Sequence, residues 1–336
     1  MKKIIYIGNQ LSQNGKTVTT IDSLSQLLRQ EGFNVFTASK KNNKFLRLFD
    51  MLFHVINYRK QADYVLIDTY STFNFYFAYF VSQLCRLLKL KYIPILHGGD
   101  LPNRLKQSPK LTKAIFKNAF VNVAPSKYTQ ASFERFGFSN ITCIPNSIKL
   151  KNYPFKKRTF DNIRLLWVRS FSKIYNPLLA IDVLHALKNK NMDAELCMAG
   201  PDSDGSLLEA KKYAYQLGLE VTFTGKLSKP EWIKLSEDYN IFINTTNIDN
   251  MPVSVIEAMA LGLPVVSTNV GGLPFLIEQD KTGFLVEPHS VVSFVESIEG
   301  IIDSPSKTHK IMAEARDYVE KLDWEVVKKQ WINVLK

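Results

Sequence analysis

Cysteine is scarce in this 336-residue chain, and its placement excludes two classes of protein. Cys85, Cys143 and Cys197 stand far apart and form no C-x-x-C pair, so neither a disulfide frame nor a cysteine zinc site is expected. They read as small buried hydrophobes of a reducing compartment. No run of eighteen uncharged apolar residues occurs, so no transmembrane helix is expected, and the apolar run in "MKKIIYIGNQ" is too short for a signal peptide. Acidic residues are few in the first half. Residues 1–150 hold 7 Asp+Glu against 21 Lys+Arg, while the remainder holds 24 against 22; the balances of +14 and −2 make up the net +12. So basic a half suits an anionic membrane, an anionic substrate or nucleic acid. Zinc-finger spacing, an RNP-like aromatic motif and a lysine-rich tail are all missing, so no nucleic-acid partner is expected.

A nucleotide-hydrolysing P-loop is also missing, although Asn14–Thr17 ("NGKT") imitates its end. The motif needs a glycine five residues before Gly15, because successive backbone N–H groups must wrap a phosphate. That position is Gln10, and the nearest glycine, Gly8, lies two residues too far. What survives is a strand–loop–helix pattern: "IIYI" is β-branched and apolar, and "IDSLSQLLRQEG" carries helical spacing up to a terminal glycine.

Both halves repeat that pattern. "KKIIYIG", "NVFTAS", "YVLID", "YIPILHG", "FVNVAPS" and "ITCIPN" read as strands in the first half. "IRLLWVRS", "AELCMAG", "VTFTG", "IFINTT", "PVVST" and "GFLVEP" do so in the second. Strands that are apolar throughout and alternate with helices indicate parallel sheets covered on both faces. The polar stretch Lys149–Asn162 reads as the link, which gives an α/β chain of two Rossmann-like domains with a ligand cleft between them. We assign 1–155 to the first domain, 156–320 to the second and 321–336 to a C-terminal helix returning toward the first. In the basic half, "KFLRLFDMLFHVINYRK" (Lys44–Lys60) puts Phe45, Leu48, Leu52 and Val55 near one helical face with cations at both ends. "FNFYFAYFVSQLCRLLKLK" (Phe73–Lys91) is aromatic-rich and closes on Arg86, Lys89 and Lys91. Such segments suit the membrane interface, and equally suit helices packed on a parallel sheet.

The most informative stretch is Asn244–Pro288, "NTTNIDNMPVSVIEAMALGLPVVSTNVGGLPFLIEQDKTGFLVEP". It resembles the signature of the family-4 glycosyltransferases of the GT-B fold, in which an acidic residue precedes by eight positions the glutamate that opens "EAMA.G.PVV…GG…E.I". Here the pair is Asp249 and Glu257, with Asp249 where the family usually carries Glu. The spacing makes physical sense: Asn250, Met251 and Pro252 lead from a strand into a helix at Val253, and a helix start offers N–H groups and positive potential to a diphosphate. Glu257, one turn in, can reach a ribose diol, and Asp249 can face the sugar.

The resemblance implies further roles. In "LWVRSFSKIYNP", Arg169 and Lys173 would neutralise the diphosphate, doing what Mg²⁺ does elsewhere. Gly225, Lys226 and Leu227 would hold the base through backbone groups. His97, in "HGGD" at a strand end, would contact the transferred sugar or assist the acceptor. Lys16, Gly98, Asp100, Ser126 and Asn146 would edge the acceptor side, and Gly15 would rim the donor's sugar pocket. Asp202-Ser-Asp204 superficially matches a D-x-D metal signature, but Asp, Ser and Gly after a strand are ordinary turn chemistry. No metal and no cofactor are expected. The expected activity is transfer of one sugar, with retention, from a UDP- or GDP-linked donor to a glycan or lipid-linked acceptor in surface-polysaccharide assembly. The expected location is the cytoplasm, at the inner membrane face where the basic half makes peripheral contact. A nucleotide-sugar epimerase and a non-catalytic binding subunit stay open as alternatives.

Overall fold

The computed structural model describes residues 2–11 and 18–336, which divide into two compact units. Unit 1 comprises Met1–Pro145 with Lys328–Lys336, and unit 2 comprises Asn146–Val327.

Unit 1 contains β1 (Lys3–Ile7), α1 (Thr20–Gln30), β2 (Asn34–Ala38), α2 (Lys44–Tyr58), β3 (Tyr64–Thr69) and α3 (Asn74–Leu87). These are followed by β4 (Tyr92–Leu96), α4 (Leu101–Gln107), α5 (Pro109–Phe116), β5 (Asn122–Ala124), α6 (Lys127–Arg135) and β6 (Ile141–Cys143). Its six strands are parallel in the order β2-β1-β3-β4-β5-β6. Every residue of β3 and β4 is buried, as a strand covered by helices on both faces must be. The chain order reverses between β1 and β3, and the crevice beyond their C-terminal ends is where open parallel sheets receive ligands.

Unit 2 contains β7 (Ile163–Val168), α7 (Pro177–Asn189), β8 (Ala194–Ala199), α8 (Ser206–Gln216), β9 (Thr222–Gly225), α9 (Lys229–Leu235) and β10 (Ile241–Asn244). Then come α10 (Val253–Ala260), β11 (Val265–Thr268), β12 (Phe284–Val286), α11 (Val291–Asp303), α12 (Pro305–Glu320) and α13 (Trp324–Val334), whose last turns belong to unit 1. The strand order is β12-β11-β10-β7-β8-β9, with the reversal between β7 and β10. Trp167 and Phe171 are fully buried with ring centroids 5.0 Å apart, and the Trp167 indole N–H donates to Thr245 Oγ1 at 3.0 Å. A buried indole thus keeps its apolar contact and satisfies its one donor.

The polar stretch 149–162, read as a link, packs into unit 2, which begins at Asn146. Leu150, Tyr153 and Phe160 are buried, and so is Arg158. The Arg158 guanidinium donates to the carbonyls of Ser236, Glu237, Tyr239, Leu261 and Gly262. Burial pushes its pKa down to about 10. Five carbonyl acceptors replace the water that would otherwise solvate the charge. Arg158→Ala would strand several of those carbonyls, so a loss of about 3 kcal/mol is expected, checked by denaturant unfolding.

The four α2 residues read on one helical face, Phe45, Leu48, Leu52 and Val55, differ in burial. Arg47, Met51 and Val55 point inward, Leu48 and Leu52 are half-buried, and Phe45 is 72% exposed. Asn57, Asp50, His54 and Arg47 mark one polar side, but the remaining apolar arc is wide, so periodicity alone could not choose which part of it packs. Arg47 is admitted to the interior by bonds to the carbonyls of Lys41 and Asn42 and to Asn9 Oδ1.

Candidate functional site

In unit 2 the site is built where the sheet order reverses. Arg169 follows β7 and Asp249 follows β10, and their side chains form an ion pair through Arg169 Nη2 and Asp249 Oδ2. The guanidinium also lies over the Tyr175 ring, 3.9 Å from its centroid, which fixes its plane. The other Asp249 oxygen accepts the Asn250 backbone N–H at 2.8 Å.

The loop 249–252 is shaped by two glycines opposite it. A Cβ on Gly271 would lie 2.1 Å from the Asp249 carbonyl oxygen, and one on Gly272 would lie 1.9 Å from that of Asn250. Only glycine lets the two backbones approach so closely, and Gly272 N–H donates to the Asp249 carbonyl at 3.0 Å. Asn146, expected on the acceptor side, belongs to unit 2 and braces this loop: its amide donates to the Met251 carbonyl at 2.7 Å. Met251 and Asn250 are buried, and Pro252 is the extended residue before α10. Among the described residues no side chain caps that helix start, so the N–H groups from Val253 onward keep their positive potential for an anion.

Glu257 lies in the second turn of α10 and is 1% exposed. Its Oε1 accepts from Tyr153 Oη at 2.6 Å and pairs with Lys229 Nζ from the start of α9. Burial, and then the Glu257 charge, push the Tyr153 phenol well above its ordinary pKa, so it remains a donor. A half-exposed lysine over a buried carboxylate leaves that carboxylate reachable by a polar ligand that displaces the ammonium. Sequence reasoning missed Tyr153 and Lys229 because neither stands in a motif and Tyr153 lies over a hundred positions from its partner.

The remaining unit 2 residues fall as follows. Lys173 follows Arg169 on a short turn, and its backbone N–H donates to Asp204 Oδ2 at 3.0 Å. Asp202 and Asp204 are spent on turn bonds: Asp202 accepts from Gly205 N–H, and Asp204 accepts from Ser172, Ser206 and Lys173. Burial works to raise the Asp204 pKa, but those bonds outweigh it and hold the carboxyl below its ordinary value. Gly225 ends β9, with its carbonyl taken by Gly200 N–H at 2.8 Å; Lys226 and Leu227 follow in the loop to α9.

Unit 1 carries a second cluster at its own reversal. His97 follows β4, and its Nε2 lies 2.8 Å from Asp68 Oδ1 at the end of β3. Tyr6 Oη donates to the same oxygen at 2.8 Å. Burial first, then the Asp68 charge, push the Tyr6 phenol well above its ordinary pKa. Asp68 as a carboxylate only accepts, so Nε2 is the ring nitrogen that donates to it. Asp68 Oδ2 is buried without a hydrogen-bond partner among the described residues, beside a cavity of about 10 Å³ lined by Gly8, Asn9, Tyr70 and Asn74. A Cβ on Gly8 would fall 2.4 Å from that oxygen. The sequence signal for Asp68 was only a strand ending in "ID". Gly98 backs onto Ser71 with no room for a Cβ, Asp100 accepts from Asn103, and Ser126 caps α6 through Thr129 N–H. Gly15 and Lys16 lie outside the described residues.

Residues 151–318 match the family model of "Glycosyl transferases group 1", and the chain belongs to that family. The sulfoquinovosyl transferase SQD2 of Arabidopsis thaliana is 29% identical over 148 residues, 43% of this chain and 28% of that protein. A glycogen synthase of Mycobacterium tuberculosis is 24% identical over 194 residues, 57% of this chain and 47% of that protein. The chain thus aligns with about half or less of the length of these curated relatives. Among solved structures, sucrose-phosphate synthase from Thermosynechococcus elongatus superposes with a TM-score of 0.83 at 18% identity, over 99% of this chain and 98% of that one. Anabaena HepE, solved with UDP and glucose, gives 0.79 at 18% identity, over 100% and 99%. These structural likenesses establish the fold, which is GT-B: two Rossmann-like α/β domains.

Proposed function

We propose that this glycosyltransferase moves one sugar from a nucleoside diphosphate donor to a glycan or lipid-linked acceptor, with retention and without a metal ion. One observation carries the reading. At the reversal of one sheet the sequence gathers an arginine, an uncapped helix start and a buried carboxylate, the three partners of a diphosphate and a ribose diol. Arg169, Lys173 and the α10 start would hold the diphosphate and take up the charge that develops as its bond to the sugar breaks. Glu257, released by Lys229, would accept from the ribose hydroxyls, and Asp249 would orient the sugar. Gly225, Lys226 and Leu227 would hold the base. The donor would be UDP- or GDP-linked, and UDP in complex with HepE supports the first of these. On the unit 1 side, His97, set by Asp68, would meet the sugar or the acceptor hydroxyl, with Gly98 and Asp100 beside it. Asp249, the carboxylate that would face the sugar, is tied to Arg169, so a front-face course, with the departing phosphate taking the acceptor's proton, fits retention. The basic half favours an anionic, lipid-diphosphate-linked acceptor in surface-polysaccharide assembly at the inner face of the cytoplasmic membrane.

Radiolabelled donor with a lipid-diphosphate-linked acceptor tests this. Label should reach the acceptor undiminished in EDTA, with the donor's anomeric configuration. Epimerised donor in the absence of acceptor, or no transfer from any nucleotide sugar, would overturn the proposal.

A further inference from the structure

The outward face of unit 1 carries a feature that catalysis does not use. On α2, Phe45, Leu46, Phe49, Phe53 and Ile56 are all exposed, with Phe49 at 68% and Phe53 at 61%. At 100° per residue these five positions span one arc of about 100°, distinct from the arc of Arg47, Met51 and Val55 that packs inward. The neighbouring α3 continues the strip with Tyr76, Phe80 and Leu87, and Phe73 at its start lies 4.8 Å under the Lys44 ammonium. Phe77 and Val81 of α3 join Met51 and Val55 of α2 in one core cluster, so the exposed stripes run on adjoining helices. Isolated exposed apolar residues are ordinary, but nine large ones on two adjoining helices are not.

The charge around this strip is mainly positive: the one acidic residue of α2, Asp50, lies beside the stripe with its carboxylate bonded to Ser39. Asp100 is the single acidic residue between Asp68 and Glu134, an interval that holds nine Lys and Arg. Four of these, Lys106, Lys110, Lys113 and Lys117, are exposed at intervals of three or four along α4, α5 and the residue after it. Arg86, Lys89 and Lys91 close the α3 end, and Arg59 and Lys60 follow α2. Among the described residues no helix is long and apolar enough to cross a membrane. An apolar stripe bordered by cations, with its one flanking carboxylate half-buried on Ser39, matches an anionic lipid surface: rings enter the acyl boundary while Lys and Arg meet phosphates.

We infer that the α2–α3 face, with the lysine row of α5, docks this protein on the surface of an anionic bilayer. The inference deepens the proposed function by giving the enzyme a surface on which it would meet a lipid-linked acceptor. Its test involves neither donor nor acceptor. The full chain is sedimented with vesicles of phosphatidylcholine alone or mixed equally with phosphatidylglycerol. Binding to the mixed vesicles is expected to exceed binding to the neutral ones at least tenfold and to weaken with salt. Phe49→Glu with Phe53→Glu should lower the partition at least tenfold. Lys110→Glu with Lys113→Glu should remove the preference for anionic lipid. Both pairs lie on exposed positions, so an unchanged melting temperature and unchanged nucleotide binding are expected. Wild-type protein left in the supernatant with mixed vesicles would overturn the inference. So would phenylalanine variants that bind as wild type, or that lose only self-association in sedimentation velocity.

Discussion

Arg169→Ala is expected to lower sugar transfer, as kcat/KM, by about a hundred- to a thousandfold, the cost of removing one preorganised charged donor from a site where charge develops. The geometry adds a second effect. Arg169 pairs with Asp249 and is held flat over Tyr175, so truncation removes the cation and leaves a carboxylate facing the incoming diphosphate. The charge at that point moves by one unit in the unfavourable direction without the arginine's compensation. Adding Asp249→Asn should therefore restore part of the donor affinity lost in Arg169→Ala, although Asp249→Asn alone impairs transfer. Simple additivity would show that the two side chains do not act on a common ligand. Initial-rate kinetics on the two single variants and the double variant provide the check.

His97→Ala should cost about a hundredfold or more in kcat with little change in nucleotide affinity, since the histidine belongs to unit 1 and the nucleotide partners belong to unit 2. Asp68 acts through it. The carboxylate holds the imidazole by Nε2 and is held in turn by Tyr6, so Asp68→Asn changes which ring nitrogen carries the hydrogen while keeping the shape. Its expected cost is smaller, about tenfold, and it should vanish in the His97→Ala background, because groups that work as a unit lose their effect together. A shifted pH–rate profile in Asp68→Asn alone, with an unchanged melting temperature, would mark a positioning role rather than a structural one. Equal costs in both backgrounds would exclude the coupling.

Much of the architecture was legible in the chain. All twelve strands read from the sequence occur; the central ones, such as "YVLID", are legible because a parallel strand covered on both faces must be an uninterrupted apolar run. The signature around Asp249 and Glu257 was legible for a similar reason. A loop crossing beneath Gly271 and Gly272 and entering α10 at Pro252 leaves little choice of residue. What stayed hidden were partners distant in sequence. Tyr153 and Lys229 on Glu257, and Asp68 on His97, come together only through strand order, which local pattern does not encode. The stretch 149–162 read as a link for a related reason: its polar composition does not show the carbonyls that take up the Arg158 guanidinium. The α2 face was ambiguous because a helix with a wide apolar arc has no single preferred inside.

The central claim is that unit 2 binds a nucleoside diphosphate through its diphosphate at Arg169 and the α10 start and through its ribose at Glu257. Calorimetric titration tests it with UDP, GDP, ADP and CDP, and with pyrophosphate, against wild type, Arg169→Ala and Glu257→Ala. The account predicts that at least one nucleoside diphosphate binds and that Glu257→Ala weakens it by about ten- to a hundredfold, the worth of a charged hydrogen-bond pair. Pyrophosphate binding should weaken in Arg169→Ala and stay unchanged in Glu257→Ala. Absence of binding by all four nucleotides, or an affinity indifferent to Glu257, would contradict it.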